Sequence, residues 1–249
     1  MNMEPITKEG TSMDEILSDF KNVHYAFQPI IKVSTGEIFG YEGLMRPVPF
    51  TPDEVIYEYE VKNRLQYIET LTFFQATRAF LDSGLEGKLF LNSFPCVSMA
   101  QSDADDFFAK FGKELTGRLV VELLEYPEIV LNSWYAKKRF LESFPESVWI
   151  ALDDFGTGVN IDSKVVSLYN PQIVKLDRSL ISKIHQNDRK QAELDQIISF
   201  MRPRGTMILA EGVETKEEHD YLVSKNLDFL QGFYIGMPTI YADDFSEEE

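Results

Sequence analysis

One cysteine, Cys96, stands in the whole chain, so no disulfide can close within it, and a reducing compartment suits it. Histidine is almost as scarce. His24, His185 and His219 show no paired ligand spacing and read as surface or satisfied residues. No apolar run approaches the roughly 20 residues of a membrane span, and no signal peptide is visible. Basic residues are outnumbered, 24 against 41 acidic ones, for a net charge of −17. A surface of that sign repels DNA and anionic membranes. The expectation is a soluble, cytoplasmic protein that binds no nucleic acid polymer and inserts into no membrane. An anionic substrate could bind only where metals or local Arg and Lys reverse the field. Also missing are a phosphate-binding P-loop, a Gly-x-Ser-x-Gly elbow and an activated cysteine, since Cys96 follows Pro95 in a loop.

What is present is a large apolar fraction, 44% of 249 residues, ample for one domain of barrel size. The chain is organised around the run from Val148 to Leu152, which ends in Asp153 and Asp154 and then Phe155-Gly156-Thr157-Gly158. A buried strand that delivers two acids to its own end is costly unless a cation sits there. Two adjacent carboxylates can hold two divalent metals close together, as phosphoryl hydrolysis often requires.

Residues 1–22 read as a polar tail with a short helix over Met13 to Lys21, and residues 23–249 as one domain. Tyr25 to Ile31 and Ile38 to Met45 form a hairpin around Ser34-Thr35-Gly36. A helical region follows from Pro52 to Ser83, with Tyr67, Leu71, Phe74 and Leu81 on one face and Gly84 as its stop. Strands at Leu89–Leu91, Leu119–Val121, Val148–Leu152, Ile173–Val174, Met207–Ala210 and Phe229–Leu230 then alternate with helices. Those helices are read at Asp103–Phe111, Ser133–Ser143, Asp162–Leu168 and Arg189–Arg202, the last closed by Pro203 and Gly205. Thr215 and Glu218 form a capping box for another. The strands are apolar throughout, as in a parallel sheet buried on both faces. About eight of them alternating with helices predict an α/β fold, a TIM-like (β/α)8 barrel. The opening hairpin requires its first strand to run antiparallel.

In such a barrel the carboxyl ends of the strands form the functional face. Read in order, those ends carry Glu42, Asn92, Glu122 with Glu125 after it, Asp153 and Asp154, Lys175 with Asp177 beyond, Glu211, and Gln231. Any one of them is unremarkable after a strand. Seven successive ends bearing acids or amides around one lysine converge on a single mouth. Oxygen donors of this kind suit Mg2+ or Mn2+, whereas zinc favours His and Cys.

At this point the chain resembles the EAL domain, the bacterial phosphodiesterase domain that linearises cyclic di-GMP. The matching stretches run in family order over about residues 23 to 238. They are Phe27-Gln28-Pro29-Ile30, Tyr41 to Pro47, Leu91-Asn92-Ser93, Glu122 to Glu125, Leu152 to Gly158, Lys175 to Ser179, Ala210 to Thr215 and Gln231-Gly232-Phe233. The resemblance implies two metals, Mg2+ or Mn2+, with Ca2+ inhibitory. Glu42, Asn92, Glu122 and Asp153 would bind one, and Asp153, Asp154 and Glu211 the other. Lys175 would help hold the attacking water, Gln231 would complete the site, and Glu125 would anchor the loop after Asp154. Gln28, Arg46 and Asp177 would lie on the substrate side. The substrate would be cyclic di-GMP and the product pGpG.

Two departures stand out. Gly43 replaces the alanine of the family's naming triplet, but only Glu42 has a ligand role there. After Gly158 come Val159-Asn160-Ile161 in place of a small or aromatic residue and two serines. That loop borders the substrate and often a dimer contact in the family, so the change bears on affinity, rate and homodimer formation. The rival reading is a cyclic di-GMP receptor or protein-interaction module without turnover. Such members typically lack some metal ligands or the lysine, whereas here every matched position is filled.

Overall fold

The computed structural model describes residues 23–124, 131–155 and 163–241, together with the paired dipeptides Thr7–Lys8 and Thr11–Ser12. The helix expected over Met13 to Lys21, Glu125, and the loop from Gly156 through Val159-Asn160-Ile161 lie outside the described residues. Eight strands close into a barrel: β1 (His24–Lys32), β2 (Ile38–Arg46), β3 (Lys88–Ser93), β4 (Leu119–Leu123), β5 (Trp149–Phe155), β6 (Ile173–Leu176), β7 (Met207–Ala210) and β8 (Phe229–Gln231). Strand β1 runs antiparallel to both neighbours, β2 and β8, and every other pairing is parallel. The turn after β1 is too short for a crossover, so the first pair must be a hairpin.

The helices are α1 (Pro52–Val61), α2 (Leu65–Asp82), α3 (Gln101–Phe111), α4 (Leu131–Leu141), α5 (Ser163–Tyr169), α6 (Arg178–Ile181), α7 (Asp188–Met201) and α8 (Lys216–Ser224). The helical region read as continuous from Pro52 to Ser83 is thus two helices. Asn63, at φ 53°, breaks it in a left-handed conformation that Asn tolerates. Both pieces bury apolar residues, Val55 and Tyr59 in α1 and Leu65 and Ile68 in α2, which made the pattern look unbroken. The buried face of α2 runs along Ile68, Thr72, Ala76 and Phe80, with Leu71 also buried. Tyr67, Phe74 and Leu81 are its half-buried flank rather than its centre. Thr51 with Glu54 caps α1, and the predicted box of Thr215 with Glu218 caps α8. No helix among the described residues is long and apolar enough to cross a membrane.

Two cores result. The larger lies between barrel and helices. The smaller fills the barrel: Ile30, Phe90, Val120, Ala151, Ile173, Leu209 and Phe229, all nearly inaccessible. Side chains along a strand alternate between the two faces. Two residues beyond Phe90, Val120, Ala151, Ile173, Leu209 and Phe229 stand Asn92, Glu122, Asp153, Lys175, Glu211 and Gln231. The apolar filling and the polar mouth are therefore successive inward positions of the same strands, and the barrel is plugged directly below its site.

Candidate active site

Lys175 occupies the centre of the mouth and is 1% exposed. Its Nζ pairs with Glu122 and Glu211, lies 3.2 Å from Asp153 Oδ1 and 3.5 Å from Glu42 Oε2. Glu42 is held from two more sides. Asn92 Nδ2 donates to its Oε1 at 3.1 Å and Gln231 Nε2 to its Oε2 at 2.7 Å. Gln231 Nε2 also reaches Gln28 Oε1 at 3.3 Å, and Gln28 Nε2 donates to the Gly236 carbonyl at 3.1 Å.

Asp153 and Asp154 are adjacent on β5, so a regular strand would aim them at opposite faces. The strand is not regular there. Its register with β6 shifts between Leu152 and Phe155, and Asp154 adopts φ 50°. A left-handed non-glycine residue is strained and recurs at functional sites. The distortion lets both carboxylates serve one site: ligand atoms of Asp153, Asp154 and Glu211 all lie within 4.8 Å of one another. A second such group comprises Glu42, Glu122 and Glu211. The two sets share Glu211.

Burial, with Glu42 and the other acids adding to it, pushes the Glu122 carboxyl well above its ordinary pKa against the pull of Lys175. Burial does the same to Glu211 and, less strongly, to Asp153, again opposed by Lys175. Glu42 ends below its ordinary value: burial raises it, but Lys175, Gln231 and Asn92 together outweigh that. Burial also disfavours the charged form of Lys175, yet the four carboxylates override it and hold the ammonium far above its usual range. One cation thus faces four acids, and their crowding favours the protonated carboxyls unless a further cation joins them.

The donor set fits a divalent cation. It is made of oxygens only, the preference of Mg2+ and Mn2+. Asn92 Oδ1, Glu122 Oε2 and Gln231 Oε1 are buried without a hydrogen-bond partner among the described residues. Buried acceptors left open in this way are costly, and a cation would satisfy them. The histidines contribute nothing: none belongs to either group, and His219 instead packs against Tyr234 with ring centroids 5.3 Å apart.

An open cleft of about 180 Å3 adjoins this cluster, lined by Gln28, Glu42, Asp177, Glu211 and Gln231 among the expected residues. Asp177 has a second task, accepting the Ser179 N–H at 2.8 Å to cap α6, a short helix the sequence reading missed. Arg46, at the end of β2, donates to the Met45 carbonyl at 2.9 Å and is not among the residues lining the cleft. Arg178, Glu214 and Phe233 line it without having been assigned a role. Arg178 Nη2 pairs with Glu214 Oε2 at 2.8 Å, and Phe233 is 55% exposed. All three lie within four residues of a strand end, a signal the sequence carried.

Fold and site together define a (β/α)8-type barrel, its first strand reversed, with clustered oxygen donors suited to a divalent cation at the carboxyl mouth. The chain belongs to the EAL domain family, whose model matches residues 14–238. It is 31% identical over 131 residues to the cyclic di-GMP phosphodiesterase PdeL of Escherichia coli K12, an alignment covering 53% of this chain and 35% of that protein. The chain spans less than two thirds of the length of the curated relatives it matches, 18% to 46% for the first four. Among solved structures, a standalone EAL protein of Vibrio cholerae O395 in its c-di-GMP-bound form superposes with a TM-score of 0.72 at 22% identity, covering 90% of this chain and 98% of that one. BlrP1 of Klebsiella pneumoniae, in a manganese and cyclic di-GMP complex, gives 0.72 at 21% identity, covering 96% and 59%.

Proposed function

We propose that this chain hydrolyses one phosphodiester bond of cyclic di-GMP to give linear pGpG, with two divalent cations, Mg2+ or Mn2+, at the barrel mouth. The observation that carries the reading is the crowding of Glu42, Glu122, Asp153, Asp154 and Glu211 at one mouth, beside buried amide oxygens that lack partners among the described residues. Glu42, Asn92, Glu122 and Asp153 would hold one cation, and Asp153, Asp154 and Glu211 the other. Metal bound there supplies a water acidified to nucleophilic strength and neutralises charge developing on the phosphate. Lys175, fixed among the acids, presents its N–H groups to the attacking water and offsets their mutual repulsion. Gln231 orients Glu42 and completes the water site. Gln28 and Asp177, on the cleft wall, contact the substrate, and Arg46 swings from the Met45 carbonyl to a phosphate. Glu125 keeps its role as anchor of the loop after Asp154 on the resemblance alone. The phosphodiesterase PdeL, and the cyclic di-GMP and manganese bound in the two solved structures, support the substrate and the metal class.

The test is incubation with cyclic di-GMP under Mg2+, Mn2+ or Ca2+, with pGpG as the readout. Turnover is expected with the first two. Ca2+, with a larger and looser shell, should support binding and inhibit turnover. Tight binding with no pGpG under any metal would establish a receptor instead.

A further inference from the structure

The helical layer holds a second buried charge pair, apart from the mouth. Glu69 on α2 and Lys137 on α4 are each 1% exposed, with Lys137 Nζ 2.5 Å from Glu69 Oε1. Neither spends its remaining hydrogen-bonding capacity on solvent. Glu69 Oε2 accepts the Phe94 N–H at 3.1 Å, and Lys137 Nζ donates to the Val97 carbonyl at 2.8 Å. Both backbone partners belong to the segment leaving β3, which begins directly after Asn92-Ser93.

The ladder between β3 and β4 ends at the pair Ser93 and Leu123, with one further bond from Leu124 N–H to the Ser93 carbonyl at 3.1 Å. Beyond that point no strand among the described residues pairs with β3. Glu69 takes the next N–H in line. Helix α4 is itself held one turn before Lys137, where the Trp134 carbonyl accepts the Tyr169 hydroxyl of α5 at 2.9 Å. Buried ion pairs add little stability over apolar residues of the same volume, because desolvation offsets the attraction. What apolar residues could not do is grip a departing backbone at two points.

We propose that Glu69 and Lys137 are positioning residues for Asn92. The pair fixes the backbone leaving β3, and so keeps the buried Asn92 Oδ1 turned into the mouth while Nδ2 binds Glu42. This rests on the reading of Asn92 as a metal ligand. Outer partners that orient a ligand typically matter tenfold or more in metal affinity.

The test is calorimetric titration of the protein with Mn2+ in the absence of substrate, beside its thermal unfolding in EDTA. The joint change Glu69→Leu and Lys137→Met keeps the volume and removes both backbone contacts. A folded protein with Mn2+ affinity lowered about tenfold is expected. In an Asn92→Ala background the same joint change should lower affinity no further, since it acts through Asn92. Unchanged affinity in the folded double variant, or equal losses with and without Asn92, would overturn the proposal. Should the double variant not fold, Glu69→Asp carries the test. It keeps the charge but is one methylene too short to hold Lys137 and Phe94 together, so affinity should still fall, and wild-type affinity overturns the proposal. A wild-type protein that binds no Mn2+ would overturn the metal reading as well, whereas wild-type binding with indifferent variants overturns this proposal alone.

Discussion

Lys175 on β6 reaches Glu42 on β2, four strands away around the closed barrel, with Nζ 3.5 Å from Oε2. The ammonium thus spans the full width of the mouth and touches acids from β2, β4, β5 and β7. Without metal it is the counter-charge for all of them.

Lys175→Met should therefore have two effects. Turnover of cyclic di-GMP should fall by at least 10²-fold, roughly the contribution of a positioned proton-handling group. The metal-free variant should be less stable by about 3–5 kcal/mol, since buried acids lose their partner. Mn2+ should then raise the melting temperature more in the variant than in the wild type. Equal shifts would show that lysine and metal do not neutralise the same charges.

Asp154 stores strain for the sake of the site. At φ 50°, glycine would sit there without a steric cost. Asp154→Gly should stabilise the metal-free barrel by about 1 kcal/mol and abolish turnover. Thermal unfolding in EDTA and a pGpG assay on the same sample check this. A variant that loses both activity and stability would mean that the conformation is not strained.

Most of the fold and the inner site could be read from the sequence, and the inner site follows from one period. Inward positions recur every second residue, so Ala151 predicts Asp153, Ile173 predicts Lys175, and Phe229 predicts Gln231. Strand–helix alternation separately dictated the parallel barrel, and the opening hairpin its reversed first strand. What escaped depends on space rather than period. Asp154 itself was read from the Asp-Asp pair, but not the register shift against β6 that turns it to the mouth, which no local pattern announces. The break at Asn63 lies between two stretches with compatible apolar faces. Glu69 and Lys137 are 68 residues apart, and each alone looks like a polar interruption in an amphipathic helix.

Gly43, the departure from the family's naming triplet, should be dispensable. A Cβ built there would lie 3.4 Å from Leu91 Cδ2, 3.5 Å from Ala76 Cβ and 3.6 Å from the Phe27 ring, ordinary packing distances. Gly43→Ala should stabilise the protein by about 0.4–1 kcal/mol, through lower entropy of the unfolded chain. Turnover should not change, because residue 43 points away from the Glu42 face of β2. A lowered melting temperature would show that β2 and α2 pack too tightly for a methyl group.

The acid limb of the stability profile should depend on Glu218. This carboxylate, 3% exposed, accepts N–H bonds from Lys183 at 2.7 Å, Glu214 at 3.0 Å and Thr215 at 3.1 Å. It joins the start of α8 to the residue that follows α6 by two positions, where Lys183 holds φ 57°. Burial raises its pKa, but the three N–H groups outweigh burial and bring it below the ordinary 4.5. The folded state therefore releases this proton more readily than the unfolded chain. Its stabilisation is complete above pH 4.5 and is lost as pH falls through the lowered folded value. Glu218→Gln should cost about 1 kcal/mol at neutral pH, the scale of a lost helix cap. The cost should shrink as pH falls below 4.5, so the two stability curves converge in acid. Urea unfolding of both proteins from pH 3 to pH 7 measures this, and parallel curves would show that the charge of Glu218 is not what holds the two helices together.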